Sequence, residues 1–394
     1  MKNYLYPTDI LVPKSGFDKW SVIACDQYTS DKKYWQEVEN IVGESPSTLR
    51  LVLPEIYLSE TEKRIGDINA TMNEYLTDGV FETVSDSMVY IEREITGGAV
   101  RKGILGVIDL TDYEYESGTK ALIRATEQTV AERIPPRVKI RKDAPLEFPH
   151  VLLFIDDPDD CVIKTASDKK SELEQLYDFN LMQNGGRIAG YRLKNEEQVK
   201  INEKLGSIIK DGLLFAVGDG NHSLATAKEC YNKSGNELAR FAMVEVVNIH
   251  NSAIVFEPIY RVLFNVNKDN LLDFLIAQNS GKSNTICHEF EIIDKDGETT
   301  LSLCATSKLP VGTLQGYLDA YLMEHPEVCI DYIHGIDATK ELCQSKNTVG
   351  FIFEGMKKDE LFEAVVQDGS LPRKTFSMGH ADDKRFYLEG RKIK

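Results

Sequence analysis

The segment from Leu213 to Lys228 restricts the possible folds of this chain more than any other part of its sequence. Its apolar run, Leu213–Val217, is typical of a buried strand and leads directly into the glycine-containing turn Gly218-Asp219-Gly220. The residues that follow, from His222 to Tyr231, have the pattern of a helix. Because glycine permits the positive φ angles of a tight turn, we predict a strand, a glycine turn and a helix in immediate succession.

This predicted turn has the chemistry of an anion-binding site. The first N–H groups of a helix have no acceptor within the helix and lie at the positive end of its dipole, so they favour phosphate. Asn221 and His222 would add hydrogen-bond donors beside Ser223, and Asp219 would accept a proton or hold a metal ion. A purely structural alternative is that Asp219, Asn221 or Ser223 caps the helix and the glycines only shape the turn.

Several common site motifs are absent from the sequence. The Gly218 turn has the spacing of neither a Walker loop nor the dinucleotide-binding G-x-G-x-x-G. There is no G-x-S-x-G elbow, and Ser223 directly follows His222, which disfavours a serine hydrolase. Zinc-binding H-E-x-x-H is missing as well, and the seven cysteines contain no C-x-x-C. We therefore expect neither a zinc site nor a disulfide framework, and mostly reduced, buried cysteines.

A second candidate group combines cations with one carboxylate. It contains Arg124, Glu127 and Thr129, followed by Arg137 in a basic stretch. Arginine binds phosphate or carboxylate through two parallel hydrogen bonds, and Glu127 would be a base or a metal ligand. The alternative interpretation is a solvated helix face with ion pairs between neighbouring turns.

Two further segments carry possible ligand-binding residues. Lys374 belongs to Arg373–His380, where cations, hydroxyls and a histidine are crowded together; a surface tail is the alternative there. Asp26 follows a predicted short strand, Trp20–Ala24, and would otherwise be an ordinary turn-capping residue.

Strands and helices alternate through the centre of the chain, which predicts an α+β fold with mixed α/β layers and some parallel pairing. At 394 residues the chain should form two or three units. We assign residues 1–265 to a main α+β domain that carries the Asp-Gly-x-His turn, and residues 266–394 to a C-terminal α/β unit that packs on the site. The predicted strands are 103–110, 150–155, 213–217, 240–249 and 348–353, and the predicted helices are 60–75, 171–180, 196–210, 222–231, 311–324 and 358–366. Pro135-Pro136 is expected to stop any helix that runs through 126–133.

The net charge of −17 disfavours a nucleic-acid partner, because an acidic surface repels phosphate backbones. No apolar run approaches the roughly 18–20 residues that span a bilayer, so we expect no membrane association. The first seven residues lack the charged and apolar regions of a signal peptide. The sequence therefore predicts a cytoplasmic protein.

Several of these segments together resemble an uncharacterised bacterial family, domain of unknown function 1015, over nearly the whole chain. The matching stretches are Ala24–Tyr28, Tyr34-Trp35, Arg124 with Glu127 and Thr129, Pro136-Arg137, Val217–His222, Pro258 with Tyr260-Arg261, and Leu371–Arg391. The resemblance implies a shared fold and adds Arg261 to the candidate substrate-binding residues, but the family has no settled activity.

The strand–Asp-Gly-x-His–helix element also looks like that of the ParB/sulfiredoxin-like superfamily, which includes free-serine kinases. In that superfamily the turn holds nucleotide phosphates, and the resemblance places Gly220 and His222 in this role with Asp219 as the preceding acid. Relatives usually read Asp-Gly-His-His-Arg, whereas this chain has Asn221 and Ser223. The missing arginine would have to be replaced by Arg137 or Lys374, and the missing turn cysteine argues against sulfiredoxin chemistry.

Two functions follow from this sequence. The first is a nucleotide-dependent phosphotransferase or phosphohydrolase that acts on a small metabolite, with a nucleotide and Mg²⁺ as cofactors. The second is a non-catalytic protein that binds a nucleotide or an acidic metabolite, and a structural role for the turn is a third, weaker alternative. The sequence leaves the oligomeric state open.

Overall fold

The computed structural model describes residues 2–24, 28, 31–127, 134–280, 286–379 and 383–394, without the side chains of Glu55, Leu58 and Pro136. The chain forms two compact units, Met1–Ile254 with Gly379–Lys394, and Val255–Met378. The boundary predicted at 265/266 therefore lies at 254/255 in the structure, and the end of the chain belongs to the first unit. Packing of the second unit on the site stays a prediction.

The strands in the described part of the chain are β1 (Thr8–Pro13), β2 (Phe81–Ser87), β3 (Val89–Glu94), β4 (Val100–Asp109), β5 (Tyr113–Glu114), β6 (Ile123–Ala125), β7 (Leu146–Glu147), β8 (Leu152–Ile155), β9 (Glu174–Asn180), β10 (Arg187–Arg192), β11 (Phe215–Asp219), β12 (Phe241–Asn248), β13 (Phe256–Phe264), β14 (Cys287–Asp294), β15 (Gly297–Cys304), β16 (Cys329–His334), β17 (Thr348–Ile352), β18 (Phe376–Met378) and β19 (Arg391–Lys392). The α-helices are α1 (Lys32–Val42), α2 (Thr61–Thr77), α3 (Ile134–Arg141), α4 (Cys161–Ser167), α5 (Asn195–Ser207), α6 (Asn221–Ser234), α7 (Lys268–Asn279), α8 (Pro310–Glu324), α9 (Ile336–Leu342) and α10 (Glu360–Asp368).

The first unit is built on a mixed sheet with the strand order β5-β6-β11-β8-β12-β4-β3-β10-β9. β6 is parallel to β5 and β11, β8 is parallel to β12, and the remaining neighbours are antiparallel. Successive side chains of β12 point to opposite faces of the sheet. Val244 and Val246 join one apolar cluster, and Met243 joins another. The predicted mixed α and β fold with some parallel pairing is thus confirmed.

Most predicted elements are present, with ends that differ by a few residues, and two predictions were wrong. Residues 171–180 contain β9 rather than an acidic helix, because pairing with β10 buries Tyr177 and partly buries Phe179 on one strand face. The predicted strand Trp20–Ala24 contributes only an isolated bridge between Ile23 and Arg385. Pro135-Pro136 lies in the described part of α3. Residues 128–133 lie outside the described residues, so the predicted helix stop after 126–133 stays a prediction.

The last segment of the chain is anchored in the first unit by buried polar contacts. Arg385 donates hydrogen bonds from Nη2 to the carbonyls of Met182 (2.8 Å) and Gln183 (3.0 Å). Further along, Tyr387 donates to the carbonyl of Val151, and Arg391 pairs with Glu147 at 2.6 Å. These contacts fix the position of the residues around 384 relative to β8.

The second unit has an antiparallel sheet with the order β15-β14-β17-β13-β16, and β18 pairs with the beginning of β13. α7 and α8 pack on the β14–β15 side, and α9 packs on β13, β16 and β17. Because β13 pairs with these strands, it belongs to the second unit, and this explains the shifted boundary. Within the residues that the structure describes, no helix has the length and apolar character needed to cross a membrane.

Candidate functional site

The predicted strand–turn–helix element is present and begins the candidate site. β11 ends at Asp219, Gly220 adopts a left-handed conformation with φ 85°, and α6 starts at Asn221. The N-cap residue of α6 is Gly220, which has no side chain to cap the helix. None of Asp219, Asn221 and Ser223 thus occupies the N-cap position, and phosphate binding by the first N–H groups of this 14-residue helix stays a prediction.

The polar side chains of the turn make other contacts. Asp219 accepts a hydrogen bond from the Gly220 N–H through Oδ1 (2.8 Å). Asn221 accepts one from the Thr126 N–H through Oδ1 (3.3 Å), and the Thr126 hydroxyl donates to the carbonyl of Val217 (2.7 Å). The end of β6 is thereby attached to the turn on two sides.

The two glycines of the turn are required by packing. A Cβ on Gly220 would lie 2.5 Å from the carbonyl oxygen of His150, and its positive φ is strained for other residues. A Cβ on Gly218 would lie 2.4 Å from the Phe154 ring. The structural interpretation of the turn thus accounts for both glycines.

Asp219 carries the strongest electrostatic perturbation of the turn. Its Oδ2 lies 3.2 Å from Nζ of Lys384 and 3.5 Å from Nε2 of His150, and about a quarter of the side chain is exposed (26%). Burial raises the pKa of the Asp219 carboxyl, but the Lys384 ammonium and the His150 ring outweigh it and hold this pKa well below its ordinary value. Asp219 is consequently an anion at neutral pH and a weak general base.

The ring of His150 is held in one orientation beneath the turn. Its Nδ1 lies 2.7 Å from the carbonyl oxygen of Arg385, and since a carbonyl only accepts, Nδ1 is the donor. The opposite nitrogen, Nε2, points to Asp219, and only 4% of the side chain is exposed. The last segment of the chain therefore supplies both Lys384 and the contact that orients His150.

Several predicted residues lie in this turn or on elements next to it or to α6. Gly218, Asp219, Gly220, Asn221, His222 and Ser223 form it. Glu127 is adjacent to Thr126, which contacts Asn221, and α3 packs on α6 and carries Arg137. These elements all belong to the first unit.

Other predicted residues lie elsewhere. The side chain of Arg124 is directed away from the turn, because it donates to the carbonyls of Ala121 (2.9 Å) and Asp211 (3.4 Å), which precede β6 and β11. Arg261 and Lys374 belong to the second unit, where the fully buried Arg261 donates to the carbonyls of Ile259 and Lys374. Asp26 and Thr129 lie outside the described residues.

The sequence analysis missed His150 and Lys384. Lys384 lies in the Leu371–Arg391 stretch that carries the family resemblance, but the cation chosen there was Lys374. His150 immediately precedes β8 and was counted only as part of a strand. Its contact with the Arg385 carbonyl depends on the return of the chain end, which no local pattern indicates.

The described part of the chain contains no group of three or more His, Cys, Asp or Glu side chains that could hold a metal ion. Asp219 is a single carboxylate beside a lysine.

The fold and the turn define a mixed α/β protein in which a helix with a glycine N-cap follows a strand, next to an ion pair of Lys384 and Asp219. The family described as "Protein of unknown function (DUF1015)" matches residues 5–321. The chain belongs to this family. No curated protein matched the chain.

Solved structures show only a remote similarity. A variant of free serine kinase in complex with ADP has a TM-score of 0.42 and 10% identity, covering 71% of this chain and 90% of the other. A conserved hypothetical protein from Pyrococcus furiosus has a TM-score of 0.37 and 11% identity, covering 70% and 90%. C-terminally truncated SbnI from Staphylococcus aureus has a TM-score of 0.36 and 11% identity, covering 68% and 80%. Similarity at this level does not fix the activity of this chain.

Proposed function

We propose that this protein binds a nucleotide through its phosphates at the turn from Asp219 to Ser223 and transfers or hydrolyses a phosphoryl group on a small metabolite. The observation that carries the proposal is the ammonium of Lys384, which pairs with Asp219 immediately before the glycine N-cap of α6. A lysine near the positive end of a helix dipole adds to the positive potential there, and Asp219 is its ion-pair partner. A phosphate between the helix start and Lys384 would neutralise both positive elements.

The roles of the other residues follow from the same geometry. Because the pKa of Asp219 is held low, we assign it to positioning Lys384 and to a bound cation rather than to proton removal. Glu127 is then the base for the attacking hydroxyl or water. His222 would donate to a phosphate oxygen from the first turn of α6, and Arg137 on α3 would neutralise developing charge. Arg261 and Lys374 stay predictions from the sequence and are given no role in this proposal.

Mg²⁺ would enter with the nucleotide and stabilise the charge of the transferred phosphoryl group. Asp219 could contribute one oxygen ligand to it. Mg²⁺ usually keeps several water molecules and takes only one or two carboxylates from the protein, so a single carboxylate is sufficient here.

A binding and product assay on the wild type and two variants tests the proposal. Titration calorimetry with nucleoside mono-, di- and triphosphates, with and without Mg²⁺, should give saturable binding that His222→Ala weakens. Lys233→Gln is a matched control, because Lys233 is exposed in the last turn of the same helix and pairs with Glu229. Equal affinities of wild type and His222→Ala, or no binding of any phosphate compound, would contradict the site assignment.

The same ligands separate the catalytic function from the second candidate, a non-catalytic binding protein. A nucleotide that binds is incubated with the protein and a panel of small hydroxyl compounds, and phosphorylated products and free phosphate are followed by ³¹P NMR. Turnover that Glu127→Gln abolishes without loss of binding supports phosphoryl transfer or hydrolysis. Saturable binding without product over hours supports the binding protein.

A further inference from the structure

Two cysteines face each other at the open end of a hairpin in the second unit. Cys287 begins β14 and Cys304 ends β15, and the strand register pairs them directly. Their Sγ atoms are 3.9 Å apart, which is close to van der Waals contact. Cys287 is exposed, whereas Cys304 is 8% exposed. One thiol can thus be reached by a dissolved oxidant while the other lies directly behind it.

The hydrogen-bond ladder makes this pair suitable for a covalent link. The N–H of Ala305 donates to the carbonyl of Ile286 (3.0 Å), so Ile286 and Ala305, the residues next to the two cysteines, are a hydrogen-bonded pair of the ladder. The N–H of Cys304 instead donates outward to Oδ1 of Asn279 (2.7 Å). Cys287 and Cys304 therefore form a non-hydrogen-bonded pair, in which Cα atoms approach to about 4.5 Å and side chains are closest. This lies within the Cα separations of about 4.4–6.8 Å that disulfides span.

We propose that Cys287 and Cys304 form an oxidative modification site, at which a peroxide converts the two thiols into a reversible intramolecular disulfide. The Cys287 thiolate attacks the peroxide, an S–O bond forms as the O–O bond breaks, and water leaves after protonation. The Cys304 thiolate then attacks the resulting sulfenic sulfur, and a second water leaves. Two thiols and one hydrogen peroxide give one disulfide and two waters, and a dithiol reverses the reaction by exchange.

The disulfide would join the hairpin end to its immediate surroundings. Oδ1 of Asn279, at the end of α7, accepts from the Cys304 N–H and also from the Tyr317 hydroxyl on α8 (3.1 Å). A link at Cys304 therefore closes the hairpin beside a position to which both helices are hydrogen-bonded. The inference concerns the second unit alone and does not depend on the proposed phosphate site.

Cys329 provides a matched control within the same unit. It is also exposed and begins β16, but the residue directly across the sheet is Phe264 on β13. An oxidant that reaches exposed thiols will meet both Cys287 and Cys329, and only Cys287 has a cysteine opposite it. Modification that depends only on exposure would affect both positions equally.

The test treats the full-length wild type, Cys304→Ser, Cys287→Ser and Cys329→Ser with limiting hydrogen peroxide. The proteins are then alkylated under denaturing conditions and mapped by mass spectrometry without reduction. We expect wild type and Cys329→Ser to contain a peptide linked through Cys287 and Cys304, and the wild type to have two fewer alkylated cysteines than the seven of the reduced chain. Dithiothreitol should restore them, and in Cys304→Ser a dimedone adduct should form at Cys287. Alkylation of all seven cysteines after treatment, or links only between molecules, would overturn the proposal.

Discussion

The Nζ of Lys384 lies 3.2 Å from the Oδ2 of Asp219, so an ion pair connects the last segment of the chain to the turn at which α6 begins. The same segment orients His150 through the carbonyl of Arg385. The electrostatic character of the turn thus depends on docking of the chain end onto β8 and β11. A cation from a distant part of the chain thus lies near the positive end of a helix, and in the proposed function both would attract a phosphate ligand.

Lys384→Gln should weaken nucleotide binding by roughly tenfold to a hundredfold, because hydrogen bonds to charged groups contribute about 1.5–3 kcal/mol. Titration calorimetry measures the change. Gln keeps a donor and most of the length of the side chain, so the variant removes mainly the charge. Lys233→Gln at the other end of α6 should bind like the wild type, and equal losses in both variants would point to a general effect of net charge.

Asp219→Asn should lower the free energy of unfolding at pH 7, because the folded state holds the pKa of this carboxyl below its ordinary value. The stabilisation is present above the unfolded-state pKa of about 4 and disappears as the pH falls through the lower folded-state pKa. The difference between wild type and variant should therefore shrink on acidification. Urea unfolding at pH 7 and at about pH 3 tests this, with the exposed Asp67→Asn as the control. A difference that grows toward low pH would contradict the electrostatic account.

Gly220→Ala should destabilise the fold by about 2–4 kcal/mol, since it adds a strained positive φ and a contact of 2.5 Å between Cβ and the His150 carbonyl. Gly235→Ala is the matched control at the other end of α6. Gly235 has a φ of +61° and no atom within 4 Å of its Cβ position, so the variant should lose only about 1 kcal/mol. Equal losses measured by urea unfolding would show that the close approach to β8 is not a constraint.

Glu389→Gln should change how stability depends on pH. Burial raises the pKa of the Glu389 carboxyl to about 7, against the hydrogen bond that Tyr177 donates to it. A raised folded-state pKa contributes stability that is complete below the unfolded-state pKa, about 4.3, and is lost as the pH rises through about 7. This difference in pKa between the folded and the unfolded protein corresponds to a loss of about 3 kcal/mol in the free energy of unfolding across that pH range.

The measurement is the free energy of unfolding of wild type and Glu389→Gln at pH 5 and pH 8. Relative to wild type, the variant should gain stability as the pH rises, because glutamine cannot ionise. Glu203→Gln, at an exposed position on α5, should leave the pH dependence unchanged. A constant difference between wild type and Glu389→Gln would show that the buried carboxyl does not titrate in this range.

The parts of the fold that were predictable have strong local signals. The apolar run of β11, the glycine turn and the helix after it follow each other in the sequence, and local pattern was sufficient to place them. β9 was assigned wrongly as a helix because its acidic residues resemble an amphipathic helix, whereas its pairing with β10 is decided by partners outside the segment.

The part of the candidate site that could be predicted consists of residues that are close together in the sequence. Asp219 to Ser223 are contiguous, and Glu127 and Arg137 come from elements that meet the turn and α6 through β6 and α3. Lys384 and His150 were missed because their positions result from long-range docking of the chain end. Arg124 was included because it is a cation in a family motif, although its guanidinium donates to carbonyls at the opposite end of β11.

Amide NMR spectroscopy of isotope-labelled protein tests most directly whether phosphate binds the first N–H groups of α6. Addition of ATP with Mg²⁺, or of inorganic tripolyphosphate, should shift the amide resonances of Asn221, His222 and Ser223 in a saturable manner. In Lys384→Gln the same shifts should require higher ligand concentrations, and amides in the last turn of α6 should remain unchanged in both proteins. Unchanged resonances at these three residues with a ligand that binds elsewhere would contradict the account.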